Sequence, residues 1–277
     1  MKIALLTDTH YGARKGSKHL HDYFELFYKN IFFPSLEAEG IDTIIHMGDV
    51  FDSRKSIDYY SLEWAKRVVF EPMKKYKVHA ITGNHDCYYK NTNEINSPEL
   101  LLTNYDNITT YSSAKDMKLD GLDILLLPWI SVDNYDETLE VITKSPAKIA
   151  MGHLELNGFK ATRGHMMEDG MPKQVFDKFD NVFSGHFHKK SDDGHIYYLG
   201  NTYQMTWSDV DCPKGFHIFD TNTRELERIV NPYTIFEKVY YDDTITDYSA
   251  FDVLTLKEKY VKIVVVNKKD LYQFDRF

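Results

Sequence analysis

The sequence predicts an α/β fold arranged as a two-sheet sandwich, followed by the start of a small α+β capping unit. Three observations predict it. Residues 1–82 alternate short apolar runs with helical periodicity in a βαβαβ order. The second half carries further short apolar runs divided by Asn, Asp and Gly turns, which read as added strands. Five of the runs end in His, Asp or Asn, most behind a glycine, as expected of a ligand crevice beyond the carboxyl ends of an open sheet.

In chain order, residues 2–7 form a buried strand ended by Asp8. Leu20, Phe24, Phe27 and Ile31 recur at helical spacing in a helix over about 20–39, stopped by Gly40. Residues 43–47 form a second strand that runs into Gly48-Asp49. Ser56 is the expected N-cap of a helix reaching about Tyr76, with Trp64, Val68 and Val69 inward and a kink at Pro72. Residues 78–82 make a third strand, ending in Gly83-Asn84-His85-Asp86. Beyond it come a strand over 124–127, a helix over 135–143, a strand over 148–151 before Gly152-His153, and a strand over 181–184 before Gly185-His186-Phe187-His188. Residues 196–199, 215–219 and 225–230 read as antiparallel strands. Asn231-Pro232 marks a boundary, dividing a main domain of 1–232 from a partial capping domain of 233–277 with strands over 235–241 and 260–266. Asp270 can cap a last helix. The chain stops at Phe277, an awkward place for a domain to end, so a truncated capping unit is expected.

The 277 residues allow one large domain plus part of another, and a hydrophobic content of 43% is ample for a core. No apolar run approaches the ~20 residues of a membrane span. The apolar start, Met1 to Leu6, is too short for a signal peptide and lacks a cleavage site. Cys87 and Cys212 are the two cysteines, and no CxxC occurs, so a reducing compartment is expected. The net charge of −9 argues against a passive coat on nucleic acid. It leaves nucleic acid open as a substrate, because bound cations would reverse the local sign.

The chemistry lies in five groups: Asp8-Thr9-His10, Gly48-Asp49, Gly83-Asn84-His85-Asp86, Gly152-His153 and Gly185-His186-Phe187-His188. Asp-x-His and His-x-His put two side chains on one face of an extended segment. Histidines, aspartates and an Asn carbonyl without cysteine form a mixed nitrogen and oxygen set, suited to Mn²⁺, Fe²⁺ or catalytic Zn²⁺ rather than to structural zinc. There are too many ligands for one ion. A carboxylate such as Asp49 can bridge two ions about 3.5–4 Å apart, a geometry used in displacement at phosphorus.

In order and spacing, across residues 1 to about 230, these groups resemble all five motifs of the calcineurin-like metallophosphoesterases. Protein phosphatases of that superfamily follow Gly-Asp with Val-Asp-Arg-Gly and use Gly-Asn-His-Glu. Here Gly48-Asp49-Val50-Phe51-Asp52 and the Asp86 after His85 look like the SbcD nuclease branch. Leu127-Pro128-Trp129-Ile130 and Gly152-His153-Leu154-Glu155-Leu156-Asn157-Gly158 are similar to the phage T4-type recombination endonuclease subunits of that branch. The resemblance implies two divalent ions, Mn²⁺ first and Mg²⁺ or Zn²⁺ as alternatives. One would be held by Asp8, His10, Asp49 and His188, the other by Asp49, Asn84, His153 and His186. It implies that His85 faces the substrate, stabilising charge on phosphorus or protonating the leaving oxygen. Asp86 either orients His85 or caps the turn.

The activity implied is that of a DNA exonuclease on double strands and endonuclease on single strands, in recombination and double-strand-break repair. A phosphomonoesterase or cyclic-nucleotide phosphodiesterase acting on a small substrate is the alternative, and a non-catalytic metal-bound scaffold a third reading, disfavoured because no ligand is missing. Implied partners are DNA, an SbcC-type coiled-coil ATPase and a second copy of the chain, with no membrane. The implied location is the cytoplasm, that of the host if the protein is phage-encoded.

Several further residues are readable. Arg14, Lys15 and Lys18, Arg54 and Lys55, and Lys160 with Arg163 follow ligand motifs and fit phosphate-backbone contacts, although each cluster alone is an ordinary solvated one. Tyr11, Tyr88 and Tyr89 are placed to stack on bases. His19, His21, His165, His195 and His217 are expected at the surface or in loops, His46 and His79 to bond locally, and Cys87 to be a small buried side chain.

Overall fold

The computed structural model describes residues 1–162 and 165–277, with the side chains of 160–166 outside the description. Arg163, and the side chains of Lys160 and His165, therefore lie outside the described residues. The strands are β1 (Lys2–Leu6), β2 (Thr43–Met47), β3 (Lys77–Ile81), β4 (Ile108–Tyr111), β5 (Lys115–Leu119), β6 (Leu122–Leu127), β7 (Ile149–His153) and β8 (Lys160–Thr162). They continue with β9 (His165–Met166), β10 (Asn181–Gly185), β11 (Ser191–Asp192), β12 (Ile196–Tyr198), β13 (Lys214–Asp220), β14 (Leu226–Asn231), β15 (Phe236–Asp242) and β16 (Tyr260–Asn267).

Two six-stranded mixed sheets result, ordered β14-β13-β1-β2-β3-β4 and β11-β12-β10-β7-β6-β5. In the first, β1 to β4 run parallel; in the second, β6, β7, β10 and β12 do. Alternation along each strand divides the core into layers. Ile3, Leu5, Ile45 and Met47 of the first sheet face Leu126, Ile149, Met151 and Phe183 of the second. Ala4, Leu6, Ile44 and Val78 face outward onto helices carrying Phe24, Phe27, Trp64 and Val69. On the far side, Leu125, Leu127, Ala150 and Val182 meet Ile142, Phe176 and Phe179. The predicted sandwich is thus covered by helices on both outer faces. Among the described residues, no helix is long and apolar enough to cross a membrane.

Helical conformation runs over 18–39, with a wide turn at Tyr28–Phe32, and Gly40 (φ 62°) ends it in the left-handed region. The second helix starts later than expected. Its N-cap is Asp58, not Ser56, because the Asp58 carboxylate accepts from the Ser61 amide at 2.9 Å. Its irregularity is a wide turn at Lys66–Phe70, and Pro72 lies in the first turn after it, where no amide is needed. β12 is not purely antiparallel as predicted: it pairs parallel with β10 and antiparallel with β11. The helix Ser97–Leu102 and strands β4 and β5 were not foreseen. β15 and β16 pair parallel in a sheet of their own, and Asp270 caps the helix Leu271–Arg276 by accepting from the Tyr272 and Gln273 amides.

The carboxyl ends of β1, β2, β3, β7 and β10 open at one edge of the sandwich, and every ligand-type residue predicted above follows or ends one of them.

Candidate metal centre

The loops after β1 and β2 run side by side. The amides of Asp8, His10 and Tyr11 donate to the carbonyls of Gly48, Asp49 and Val50 at 3.1, 3.0 and 2.9 Å. To turn their side chains into the crevice, Asp8, His10, Asp49 and His186 adopt positive φ of 51°, 43°, 53° and 83°. Such backbone is strained for residues other than glycine and collects at functional sites. Glycine serves two purposes here. Gly48 itself turns (φ 87°), whereas at Gly83 the need is closeness: a Cβ there would lie 2.2 Å from the Asp49 amide nitrogen.

Two donor clusters converge. In the first, His10 Nε2 lies 3.1 Å from His188 Nε2 and 4.0 Å from Asp8 Oδ1, which is 3.8 Å from His188 Nε2. In the second, the Asn84 side-chain carbonyl lies 3.0 Å from His153 Nε2 and 2.9 Å from His186 Nδ1. Asp49 joins them, its Oδ2 standing 3.6 Å from His10 Nε2 and 3.3 Å from His153 Nε2. Asp8, Asp49, His10 and His153 are all buried. All seven predicted ligand-type residues therefore come together in two groups that share one carboxylate.

The donor set fits cations. His153 Nδ1 donates to the Met47 carbonyl at 2.8 Å, and His186 Nε2 donates to Glu155 Oε2 at 2.9 Å. With those nitrogens committed, the remaining lone pairs of neutral His153 and His186 point at carboxylate and carbonyl oxygens, an arrangement that repels without positive charge between them. At His153, in the protein alone, a proton can supply that charge. Burial disfavours it, but Asp49 beside it pushes the His153 pKa up to about 9. Burial likewise opposes ionisation of Asp49, yet His153, His10 and His85 hold its carboxyl well below the usual range. His188 goes the other way: burial and the neighbouring His10 push it down to about 4. His10 is raised, since Asp52, Asp49 and Asp8 outweigh its burial.

His85 stands beside both clusters. Its amide donates to Asp49 Oδ1 at 2.7 Å, its Nδ1 donates to the Asp52 carbonyl at 2.6 Å, and its ring meets His10 edge-on at 4.8 Å. Asp86 does not orient it. The Asp86 carboxylate is consumed by the amides of Gly83 (2.8 Å), Val50 (3.2 Å) and Phe51 (3.1 Å) and by Ser97 Oγ (3.2 Å), so it ties two ligand loops together.

The predicted basic contacts are partly committed. Arg14 donates from Nε to the Met205 carbonyl and lies 5.9 Å from the Phe236 ring. Lys18 pairs with Asp22, Arg54 donates to the Cys87 carbonyl, and Lys55 lies 5.7 Å from the Tyr88 ring. Lys15 is exposed, as are Tyr88 and Tyr89. Tyr11 cannot stack on a base: it is buried, with its hydroxyl against that of Tyr28. His21 and His217 are also buried rather than superficial, His21 against Trp64 and His217 on β13. His46 and His79 bond to Thr9 and Tyr111 as expected, and the Cys87 thiol is buried against the Gly83 carbonyl.

Sequence reasoning assigned no role to Glu155, which holds His186, or to Asp52, whose Oδ1 is 3.4 Å from His10 Nδ1 and which groups with His10 and His85. Both stand within the family motifs, next to or near a ligand, and that adjacency was the available signal. A groove of about 330 Å³ opens on His186 and His188 and is also lined by Lys189 and Asp209.

A family model described as calcineurin-like phosphoesterase matches residues 1–190. Exonuclease subunit 1 of Enterobacteria phage T4 is 34% identical over 99% of this chain and 80% of that protein. The SbcD component of the SbcCD nuclease of Staphylococcus epidermidis is 24% identical over 82% of this chain and 67% of that protein.

Proposed function

Because the chain belongs to the calcineurin-like phosphoesterase family and is a metal-dependent phosphodiesterase, we propose that its substrate is DNA and that it is a Mn²⁺-dependent nuclease, an exonuclease on double strands and endonuclease on single strands, working in recombination and double-strand-break repair. The observation that carries this reading is the pair of donor clusters sharing Asp49 Oδ2 with His85 alongside. Asp8, His10, Asp49 and His188 would hold one ion, and Asp49, Asn84, His153 and His186 the other. Two such ions supply Lewis acidity, activating water and neutralising charge on the phosphodiester. The mixed imidazole, carboxylate and amide set suits Mn²⁺, as it suits Fe²⁺ or catalytic Zn²⁺, and the resemblance puts Mn²⁺ first.

The chain's own residues do the remainder. Met47 and Glu155 fix the tautomers of His153 and His186, so that the other ring nitrogen faces the ions. The Asp52 carbonyl holds His85 Nδ1, which leaves Nε2 to meet a phosphoryl or leaving-group oxygen. Lys15, Arg54, Lys55, Tyr88 and Tyr89, in segments that follow the first three ligand motifs, support a polyanionic substrate with bases to stack on.

In this reading residues 1–232 are the nuclease domain and 233–277 a DNA-capping unit. The pairing of β15 with β16 apart from both main sheets supports that division. The similar proteins are named as subunits, one of them of an SbcCD nuclease, which supports assembly with a coiled-coil ATPase of the SbcC type; pairing of two copies and a cytoplasmic location complete the proposal. The test is nucleotide release from end-labelled linear duplex and from single-stranded DNA with Mn²⁺, with and without EDTA. Release that EDTA abolishes is expected. Activity on a small phosphate ester with none on DNA would overturn the substrate and leave the phosphodiester chemistry standing.

A further inference from the structure

Lys214, at the start of β13, is 3% exposed at its side chain. A lysine is seldom so buried without a specific partner. Its Nζ lies 2.7 Å from Asp209 Oδ1, itself 5% exposed, and donates to the carbonyl oxygen of His188 at 2.9 Å. The second Asp209 oxygen accepts from the amides of Met205 at 3.0 Å and Thr206 at 2.9 Å, which fixes the carboxylate. Gln204 anchors that turn. Its Nε2 donates to the Asp209 carbonyl at 3.2 Å, and its Oε1 accepts from the amides of Ile235 and Phe236, both at 2.9 Å.

Burying such a pair is costly, and a neutral apolar pair of similar volume often stabilises a fold equally well. What an apolar pair cannot do is donate to His188. That carbonyl belongs to the residue whose ring meets His10 at 3.1 Å in the first donor cluster. A fixed carbonyl restricts the adjoining backbone torsion and so the direction of the His188 ring, which rises from a turn opened by the positive φ of His186. We infer that Lys214 and Asp209 are positioning residues for His188, holding it in register with Asp8 and His10 for the first of the two cations. The inference rests on the two-ion reading above.

The test is calorimetric Mn²⁺ titration of chelator-treated full chain, wild type beside D209N/K214M, with thermal unfolding measured without metal. The double variant removes both charges and the side-chain donor to the His188 carbonyl, leaving only the Asn201 amide at 3.3 Å on it, but keeps the volume. It is expected to fold, to bind one Mn²⁺ as the wild type does, and to bind the other about 10–100-fold more weakly. A merely structural pair would not separate the two sites. Should the double variant lose its fold, K214M alone, which removes the side-chain donor to His188 and leaves the Asp209 carboxylate on the Met205 and Thr206 amides, carries the same readout. Wild-type affinity at both sites in a folded variant overturns the inference. A wild-type protein binding fewer than two ions overturns the two-ion reading, and the inference with it.

Discussion

Replacing Asp49 with asparagine keeps the shape of the centre and removes its shared charge. Asp49 Oδ2 lies 3.3 Å from His153 Nε2, and at an effective dielectric near 20 a full ion pair at that distance is worth about 5 kcal/mol. Burial opposes it, and the rise of the His153 pKa from 6.5 to about 9 corresponds to about 3 kcal/mol. Because the folded protein binds this proton more tightly than the unfolded chain, the contribution is fully present below about pH 6.5 in metal-free protein. It is lost as pH rises through about 9. Asp49→Asn leaves the burial and removes the largest of the groups opposing it, with Asp8 and the Met47 carbonyl remaining, so the His153 pKa should fall well below 9. The assay is urea unfolding in chelator at pH 6 and 9.5, with the His153 ring followed by NMR. Wild type should lose about 3 kcal/mol between those pH values from this pair, and the variant should lose none of it while failing to bind Mn²⁺ at either site. An imidazole at His153 still titrating near 9 in the variant would refute the electrostatic account.

His85→Ala removes no residue of either proposed ligand set and keeps the amide that donates to Asp49. Calorimetry should still count two Mn²⁺ ions while turnover on DNA falls about 10²–10⁴-fold; near-normal turnover would remove His85 from the mechanism. Glu155→Ala takes away the acceptor of His186 Nε2 and should weaken the second ion about 10–100-fold, with the first unaffected in the same titration. Both ring nitrogens of His217 are buried without a hydrogen-bond partner among the described residues, and burial pushes its pKa down to about 3. The unfolded chain therefore takes up this proton first as pH falls below about 6.5, costing about 2 kcal/mol by pH 5. His217→Leu should flatten that acid limb and raise stability at pH 7 in denaturant melts.

The centre was legible because each ligand-type residue directly follows an apolar strand, so chain order alone placed Asp8, His10, Asp49, Asn84, His153, His186 and His188 at one sheet edge. What surrounds those residues was less legible, since it depends on contacts across the chain. Lys214 reaches the His188 carbonyl from the start of a strand in the other sheet, a meeting that no local pattern announces. Tyr11 misled by adjacency: it follows His10, but its backbone runs beside Phe51 and its ring enters the helix-covered core. β5 escaped notice because Lys115, Asp116 and Lys118 mark a charged edge strand rather than an apolar run. Asp58 displaced Ser56 as helix cap for want of any rule that ranks two capping residues so close together.

The two imidazoles that meet at 3.1 Å, His10 and His188, are 178 residues apart. At ~5–20 residues per second a ribosome needs roughly 9–36 s to make that stretch. The first sheet carries four of the seven ligand-type residues and the second carries three. A nascent chain thus offers neither proposed ligand set complete until the sheets dock, and capture of the full cation pair waits on that docking. The element acquired is then chosen by the mature cavity from whatever ions its surroundings supply, rather than by the growing polypeptide.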